Sequence, residues 1–279
     1  MSEMTLVPLG GLCNRLRAML SAMALARDCG VTLRVVWLRD KGLNARFSDL
    51  FEPIQEETVI IEDTGAWWRY GVARRRNGYL PALYQRLAFD TIITESDLER
   101  IITSEASTAT IRERIKGRVL IQTGLGFYPC DESEMMKLFV PSPAARRIIE
   151  ERTQRITPHT VGLHIRRTDN LESIAHSPLE AFVAAMQRDL ERDPKATFYI
   201  ATDDPSVASD LTLRFPSSYF YNSTVTRSTV AGMVTAVAEL YTLMACPRFH
   251  GSYWSSFSDM VVACHREGEA DIIDVQKST

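Results

Sequence analysis

The sequence predicts an α/β protein built from two doubly wound units that follow one another along the chain. Short apolar, β-branched runs alternate with longer helical patterns over most of the 279 residues. The amino terminus reads as strand, glycine-rich turn, helix and strand, a βαβ unit that favours a parallel sheet. The same alternation starts again near residues 155 to 160. We therefore expect two Rossmann-like domains, residues 1–156 and 157–279, facing across a cleft at their strand ends.

The first unit opens with the strand MTLVPL and the helix RLRAMLSAMALARDCG, which ends at Gly30. The strand VTLRVVWL follows, and RVLIQT near residue 118 is a further strand. The irregular pattern from about residue 40 to 135 predicts no specific binding or catalytic residues. Its basic stretch WWRYGVARRRNGY is predicted to be a solvated loop or helix face, with an acceptor cleft as the less favoured alternative.

The second unit continues the alternation. Ser142 and Pro143 introduce the helix SPAARRIIEERTQRI, and a serine cap with proline in the first turn starts SPLEAFVAAMQRDLERD. Asp204 is expected to cap the next helix ahead of Pro205. The predicted elements are, in order, the strand HTVGLHI, the helix above, the strand ATFYIAT, the helices DPSVASDLTLRF and TVAGMVTAVAELYTLMAC, the strand PRFHGS and the helix SSFSDMVVACH.

Composition excludes several classes. A formal net charge of -3 gives no reason to expect nucleic acid as a partner. Five scattered cysteines without a CxxC pair are typical of reduced thiols, not of a disulfide framework or zinc site. The amino terminus lacks the pattern of a secretory signal, and no apolar run reaches the length of a membrane span. We expect a cytoplasmic protein without an integral membrane segment.

The densest charge cluster, LHIRRTDN, ends the strand that begins the second unit. Arg166 and Arg167 arrive at its carboxyl end, where burying unpaired guanidinium groups would be costly. Arginine matches phosphate oxygens bidentately, so a diphosphate is the natural ligand. The structural alternative is a salt bridge between Asp169 and Arg167, but one carboxylate cannot satisfy both arginines.

Three other segments end strands with ligand-binding residue types. LGGLCNRLR places Gly11, Asn14 and Arg15 at a strand-to-helix turn, where helix amino termini favour phosphate, although it matches no standard phosphate-loop pattern. IATDDPS leaves Asp203 available for a ligand. HGSYWSSFS offers the hydroxyls and N–H groups of a helix start. Within an apolar helix, a lone glutamate, Glu239, is either solvent-facing or a buried acid for guanine.

Together these motifs resemble the GDP-fucose-dependent fucosyltransferase superfamily, most closely its α1,6 type. HIRRTD is similar to the His-x-Arg-Arg-x-Asp motif of that type, and ATDDPS, SYWSSFS and GGLCNRLR are similar to its other segments, in the same order. The resemblance implies a GT-B fold whose carboxyl-terminal domain holds the donor. It also implies inverting, metal-independent transfer of fucose from GDP-fucose to a glycan or other hydroxyl acceptor, without a cofactor.

The resemblance also implies residue roles. Arg166 would hold the β-phosphate, His164 the nucleotide, Asp203 the donor and Glu239 guanine. Ser255 and Ser256 would touch the phosphates, and Asn14 would complete the cleft from the amino-terminal side. From the residue pattern alone, Gly11, Arg15 and Arg167 are expected to join these donor contacts. The chain departs from the α1,6 type at Asn170, where that type carries lysine. The candidates for the general base are therefore Asp169 and Glu172, beside Arg166 as the catalytic cation.

Other functions stay open on the sequence alone. A GT-B transferase could use another GDP- or UDP-sugar, and the fit of Glu239 to guanine would separate them. A nucleotide-sugar-binding protein without transfer activity has the same donor site. A phosphate-ester hydrolase using His164 and Asp169 is disfavoured because no nucleophile motif or metal cluster accompanies them.

Overall fold

The structure, a computed structural model, describes residues 2–103, 107–168, 171–221, 226–265 and 268–276. The chain divides into two compact units, Met1–Ser142 with Arg227–Met233, and Pro143–Thr226 with Val234–Thr279. The division thus follows Ser142, whereas the sequence suggested residue 156. The helix from residue 143 joins the second unit because its buried Arg152 donates a hydrogen bond to the Tyr199 hydroxyl, 3.2 Å away, within that unit.

The first unit contains a five-stranded parallel sheet in the order β3-β2-β1-β5-β4. The predicted βαβ unit is present, and its helix ends where Gly30 adopts the left-handed conformation that glycine permits. The elements are β1 Glu3–Pro8, α1 Leu12–Cys29, β2 Thr32–Leu38, α2 Phe47–Leu50, β3 Val59–Thr64, α3 Trp67–Tyr70, α4 Leu80–Ala88, β4 Thr91–Thr94, α5 Glu95–Ile102, α6 Ser107–Glu113, β5 Arg118–Thr123 and α7 Glu132–Met136.

The second unit contains another five-stranded parallel sheet, in the order β10-β9-β6-β7-β8. The chain runs outward from β6 in one direction and then returns to its other side, so the strand order reverses at β6. The elements are α8 Pro143–Thr153, β6 Thr160–Ile165, α9 Leu171–His176, α10 Leu179–Arg192, β7 Thr197–Thr202, α11 Pro205–Arg214, β8 Ser218–Tyr219, α12 Val230–Met244, β9 Arg248–Ser252, α13 Ser256–Cys264 and β10 Glu269–Ile273.

The central strand β6 is buried at all six positions, as expected for a parallel strand covered on both faces. Val161, Leu163 and Ile165 join one apolar core with residues of β7, α10 and α11. On the other face Gly162 lets α12 pack closely, because a Cβ there would lie 3.1 Å from Leu243 Cδ2 of that helix and 3.1 Å from the sulfur of Cys246, which follows it. His164 shares this face and is therefore buried.

The α/β prediction with two parallel sheets is confirmed. The elements that the sequence did not predict are β3, β4 and α2 to α7 in the first unit, and α9, β8 and β10 in the second. The predicted serine cap of α10 is wrong. Pro178 occupies the cap position, and the Ser177 hydroxyl instead donates to the Ile273 carbonyl and accepts from the Tyr253 amide. Within the described residues, no helix combines the length and apolarity needed to cross a bilayer.

Candidate functional site

The candidate site lies at the carboxyl edge of the second sheet, where the strand order reverses at β6. Arg166 follows β6, Asp203 follows β7 and Ser252 ends β9. Ligands in open α/β sheets bind outside the strand ends at such a reversal. The parallel topology therefore brings together residues that are separated by almost ninety positions in the sequence, as the Arg166 amide shows by bonding the Ser252 hydroxyl across 86 residues.

Asp203 organises the loop that follows β6. Its Oδ1 accepts the Arg167 amide at 2.7 Å, and its Oδ2 accepts the Thr168 amide at 3.2 Å and the Thr168 hydroxyl at 2.6 Å. Burial by itself would raise the pKa of this carboxyl, but these donors and the Arg166 guanidinium lower it overall. Asp203 is therefore ionised at neutral pH and shapes the loop. As predicted, Asp204 caps α11 by accepting the Ser206 amide.

The two arginines of the loop point to different surroundings. The Arg166 Nη1 lies 3.1 Å from Asp203 Oδ2, and its side chain keeps 22% of its surface exposed. The Arg167 guanidinium turns inward, where it donates to the Ser177 carbonyl and lies 5.9 Å from the Phe182 ring centre. Burial lowers the pKa of Arg167. Arg166 is the arginine positioned for a ligand, and Arg167 supports the loop from below.

His164 is buried beneath α13. Its Nδ1 lies 2.8 Å from the Ser258 hydroxyl, and its ring stacks on Phe257 at 4.7 Å between centres. Burial and the nearby Arg166 lower the pKa of His164 to about 4, so the imidazole is neutral at neutral pH. The ring has no partner for Nε2 among the residues that the structure describes. His164 can therefore offer one uncharged nitrogen to a ligand.

The segment between β9 and α13 is held in an unusual conformation. Trp254 has a φ of 54°, a left-handed value that is uncommon for a side chain of this size. Ser255, at the cap position of α13, is buried but makes no capping hydrogen bond. Ser256 begins the helix. The hydroxyls and free amides of this helix start are thus arranged as an anion site requires.

A recess beside β7 contains Glu239. Its volume is about 330 Å³ including its open mouth, and it is lined by Ile200, Thr202, Pro205, Ala208, Phe220, Tyr221 and Glu239. Only 13% of the Glu239 side chain is exposed, and its nearest cation, Arg152 Nη1, is 4.0 Å away. Burial raises the pKa of Glu239 to about 7. This is the arrangement of a carboxylate that gains from a ligand with N–H donors.

The glycine turn of the first unit is built around a buried arginine. Gly10 has a φ of +80°, and a Cβ there would lie 2.9 Å from the side-chain Nδ2 atom of Asn14. The Arg15 guanidinium donates to the carbonyls of Gly10 at 2.9 Å and Leu38 at 2.5 Å, and pairs with Asp40 at 3.0 Å. Arg15 is fully buried and holds the turn together, whereas Gly11 and the half-buried Asn14 remain available on it.

Of the two candidate general bases, the structure describes only Glu172. Asp169 and Asn170 lie outside the described residues. Glu172, in α9, has 69% of its side chain exposed and lies 3.8 Å from His176 Nε2. The site also contains residues that the sequence pattern did not indicate, namely Ser252, Ser258, Phe257 and Arg152. The serines and Phe257 stood inside the quoted HGSYWSSFS segment, but no pattern distinguished them from their neighbours.

No cluster of three or more His, Cys, Asp or Glu side chains suited to a metal ion occurs in the described parts of the chain.

No protein-family model matches the sequence. Solved structures match over nearly the whole chain. NodZ α1,6-fucosyltransferase soaked with GDP-fucose has a TM-score of 0.67 at 16% identity, covering 95% of this chain and 93% of that one. The selenomethionine NodZ structure, from Bradyrhizobium, has a TM-score of 0.64 at 17% identity, covering 94% and 92%.

Two further solved structures share the architecture at lower identity. POFUT1 in complex with GDP has a TM-score of 0.61 at 10% identity, covering 98% of each chain. A variant of Arabidopsis thaliana FUT1 in complex with GDP has a TM-score of 0.59 at 12% identity, covering 96% of this chain and 69% of that one. The chain therefore has the GT-B fold of the GDP-fucose-dependent fucosyltransferases, the superfamily that its sequence motifs resemble.

Proposed function

We propose that the protein is a fucosyltransferase that transfers L-fucose from GDP-fucose to a hydroxyl acceptor. One observation carries this proposal. Beside the same parallel sheet, an arginine lies where the strand order reverses, and a buried carboxylate of α12 lies in a neighbouring recess. Arg166 supplies the cation for a diphosphate, and Glu239 supplies the acceptor for a base. The fold shared with structures of POFUT1 in complex with GDP and with GDP-fucose supports the same assignment.

Guanine suits the Glu239 recess for a chemical reason. Its N1–H and its amino group form a pair of adjacent donors that one carboxylate can accept, whereas uracil lacks this pair. Phe220 and Tyr221 line the same recess, so aromatic side chains are within reach of a bound base. The raised pKa of Glu239 indicates that the ionised carboxylate is under-compensated without a ligand. A guanine would supply the missing donors.

The diphosphate would lie between Arg166 and the start of α13. When the glycosidic bond of the donor breaks, the departing diphosphate gains negative charge, and fixed cations and N–H dipoles stabilise that charge. Arg166 is held for this purpose by Asp203 through its guanidinium and by Ser252 through its amide. Ser255 and Ser256 add hydroxyls and main-chain amides. Arginine would take the charge-neutralising role, so the proposed transfer is metal-independent.

The neutral His164 would donate or accept one hydrogen bond through Nε2, with Ser258 fixing its orientation through Nδ1. Inverting transfer also requires a carboxylate to take the proton of the acceptor hydroxyl. Asp169 and Glu172 remain our candidates for that base.

The same proposal includes a cytoplasmic location, because all five cysteines are free thiols without an evident pairing.

The test is calorimetric titration of GDP, GDP-fucose and UDP, without added metal, into the wild type, Arg166→Ala and Arg188→Ala. Arg188 is exposed on α10 of the same unit and serves as the matched control. We expect GDP and GDP-fucose to bind the wild type and Arg188→Ala, and Arg166→Ala to bind them roughly a hundredfold more weakly, the loss typical of a charge-assisted contact.

Preference for UDP would keep a transferase but overturn the sugar. Absence of binding by every nucleotide would refute the donor site. Binding of GDP-fucose without release of fucose to any acceptor or to water would identify a nucleotide-sugar-binding protein instead.

A further inference from the structure

Helix α4 of the first unit carries its leucines outward. Leu80, Leu83 and Leu87 follow one face at helical spacing and are 54%, 64% and 75% exposed. The opposite, buried face carries Pro81 and the polar Gln85. A surface helix normally shows the reverse arrangement, with apolar residues against the core. The outward leucines therefore need an explanation outside the packing of the unit.

The orientation of α4 is fixed by specific contacts. Gln85 Nε2 donates to the carbonyls of Arg69 and Gly71, both at 3.0 Å. The Tyr84 ring packs edge-on against Trp68 at 5.8 Å and against Tyr70 at 5.9 Å. Rotating α4 to turn the leucines inward would break these hydrogen bonds and ring contacts. These contacts fix the rotation of α4, so the leucine face is exposed in the folded unit.

Aromatic side chains extend this face. Trp67 and Trp68, on the adjoining helix α3, are 53% and 43% exposed, and Tyr79, which precedes α4, is 57% exposed. We call the six side chains the apolar patch; they are Leu80, Leu83, Leu87, Trp67, Trp68 and Tyr79. Exposed apolar clusters of this kind on a single protein commonly mark a binding surface.

The same segment is strongly basic. Between Asp63 and Asp90 the sequence contains five arginines and neither aspartate nor glutamate, although the whole chain has a net charge of -3. All five are exposed, and none of them forms an ion pair with any described residue; they are Arg69, Arg74, Arg75, Arg76 and Arg86. Arg69 stacks over Trp68 at 4.6 Å, so cation and aromatic ring act together.

We propose that the apolar patch and its five arginines bind the surface of a membrane that contains anionic lipids. Leucine and aromatic side chains enter the boundary between headgroups and acyl chains, while the arginines contact lipid phosphates. A second copy of the chain would set arginines against arginines, which charge repulsion opposes. This surface lies in the first unit, whereas the residues of the proposed donor site around Arg166 and Glu239 lie in the second.

The experiment is sedimentation of the full chain with vesicles of phosphatidylcholine alone or mixed with phosphatidylglycerol. We compare the wild type with Leu87→Ser, with the triple variant R74Q/R75Q/R76Q, and with Leu213→Ser as a matched control. Leu213 is an 84% exposed leucine in α11 of the other unit. Light scattering in solution reports the oligomeric state of each variant, and circular dichroism confirms that each is folded.

We expect binding to the phosphatidylglycerol vesicles, weakened by salt and about tenfold weaker for Leu87→Ser because a leucine leaves the membrane boundary. The triple variant should bind about a hundredfold more weakly, since each arginine near an anionic surface contributes several-fold. Leu213→Ser should bind as the wild type does.

Three outcomes overturn the proposal: no binding to either vesicle, binding that Leu87→Ser and the triple variant leave unchanged, or a wild-type oligomer that Leu87→Ser dissociates while neither protein binds vesicles.

Discussion

Replacing Glu239 by glutamine tests the buried carboxylate on which the donor site depends. In the folded protein, burial raises the pKa of Glu239 from an ordinary value of 4.5 to about 7, with Arg152 opposing the shift and Asp203 adding to it. A pKa difference of one unit corresponds to about 1.4 kcal/mol. Ionising Glu239 in the folded protein therefore costs about 3 kcal/mol more than ionising it in the unfolded chain. Glutamine has nearly the same shape and carries no proton that titrates.

The sign of the effect follows from proton binding. Between pH 4.5 and about 7 the folded protein keeps a proton on Glu239 that the unfolded chain has lost. The contribution of this group to stability is therefore fully present below pH 4.5 and is lost as the pH rises through about 7. His164 acts in the opposite direction, because its folded pKa of about 4 lies below its ordinary 6.5 and its contribution is lost as the pH falls.

The assay is urea unfolding of the wild type and Glu239→Gln at several pH values between about 5 and 8, followed by circular dichroism. His164 is present in both proteins, so its effect cancels in the difference between them. Relative to Glu239→Gln, the wild type should lose about 2.5 kcal/mol over this range, since part of the contribution is already lost at about pH 5. Glu191→Gln, which changes an exposed glutamate of α10, should follow the wild type. Parallel pH curves for the wild type and Glu239→Gln would refute the burial argument.

Three further results are expected. At about pH 6, binding of GDP-fucose, whose esterified diphosphate has no group that titrates near this pH, should release about one proton from the wild type and none from Glu239→Gln, measured by calorimetry in buffers of different ionisation enthalpy; equal release would separate guanine from Glu239. Asp203→Asn should lower unfolding stability by about 1–3 kcal/mol and weaken GDP binding, because asparagine keeps one acceptor oxygen for the 166–168 loop; unchanged values for both would contradict this role. Arg15→Met should cost about 2–4 kcal/mol in urea unfolding because the carbonyls of Gly10 and Leu38 lose their donor, whereas the exposed Arg39→Met should cost little; equal losses would show that burial of Arg15 does not matter.

Local pattern was sufficient for most of the regular elements. The βαβ start, the end of α1 at Gly30 and the cap of α11 at Asp204 depend on residues close in sequence, and each agrees with the structure. The short strands β3, β4 and β10 were not predicted because their apolar runs are brief: β4 has four residues, and β3 and β10 each contain a glutamate and an aspartate. The Ser177 cap failed because a partner about ninety-six positions away, the Ile273 carbonyl, takes the hydroxyl.

By itself the sequence determined that strands and helices alternate in two series and that arginines, aspartates and serines stand at strand ends. In a parallel sheet, the carboxyl ends of all strands lie at the same edge, so the residues that follow them lie close together. Tertiary structure decided what each of them does. Arg166 and Arg167 are adjacent in sequence, yet one lies at the site and the other beneath it.

The same holds for the residues whose surroundings come from distant parts of the chain. Glu239 is buried beside Arg152 and not solvent-facing, Arg15 is enclosed by carbonyls, and the leucines of α4 point outward although helical periodicity alone would place them inside. Periodicity records which residues share a face. Which face is buried depends on the free energy of packing against elements that lie elsewhere in the sequence, and only the folded chain contains that information.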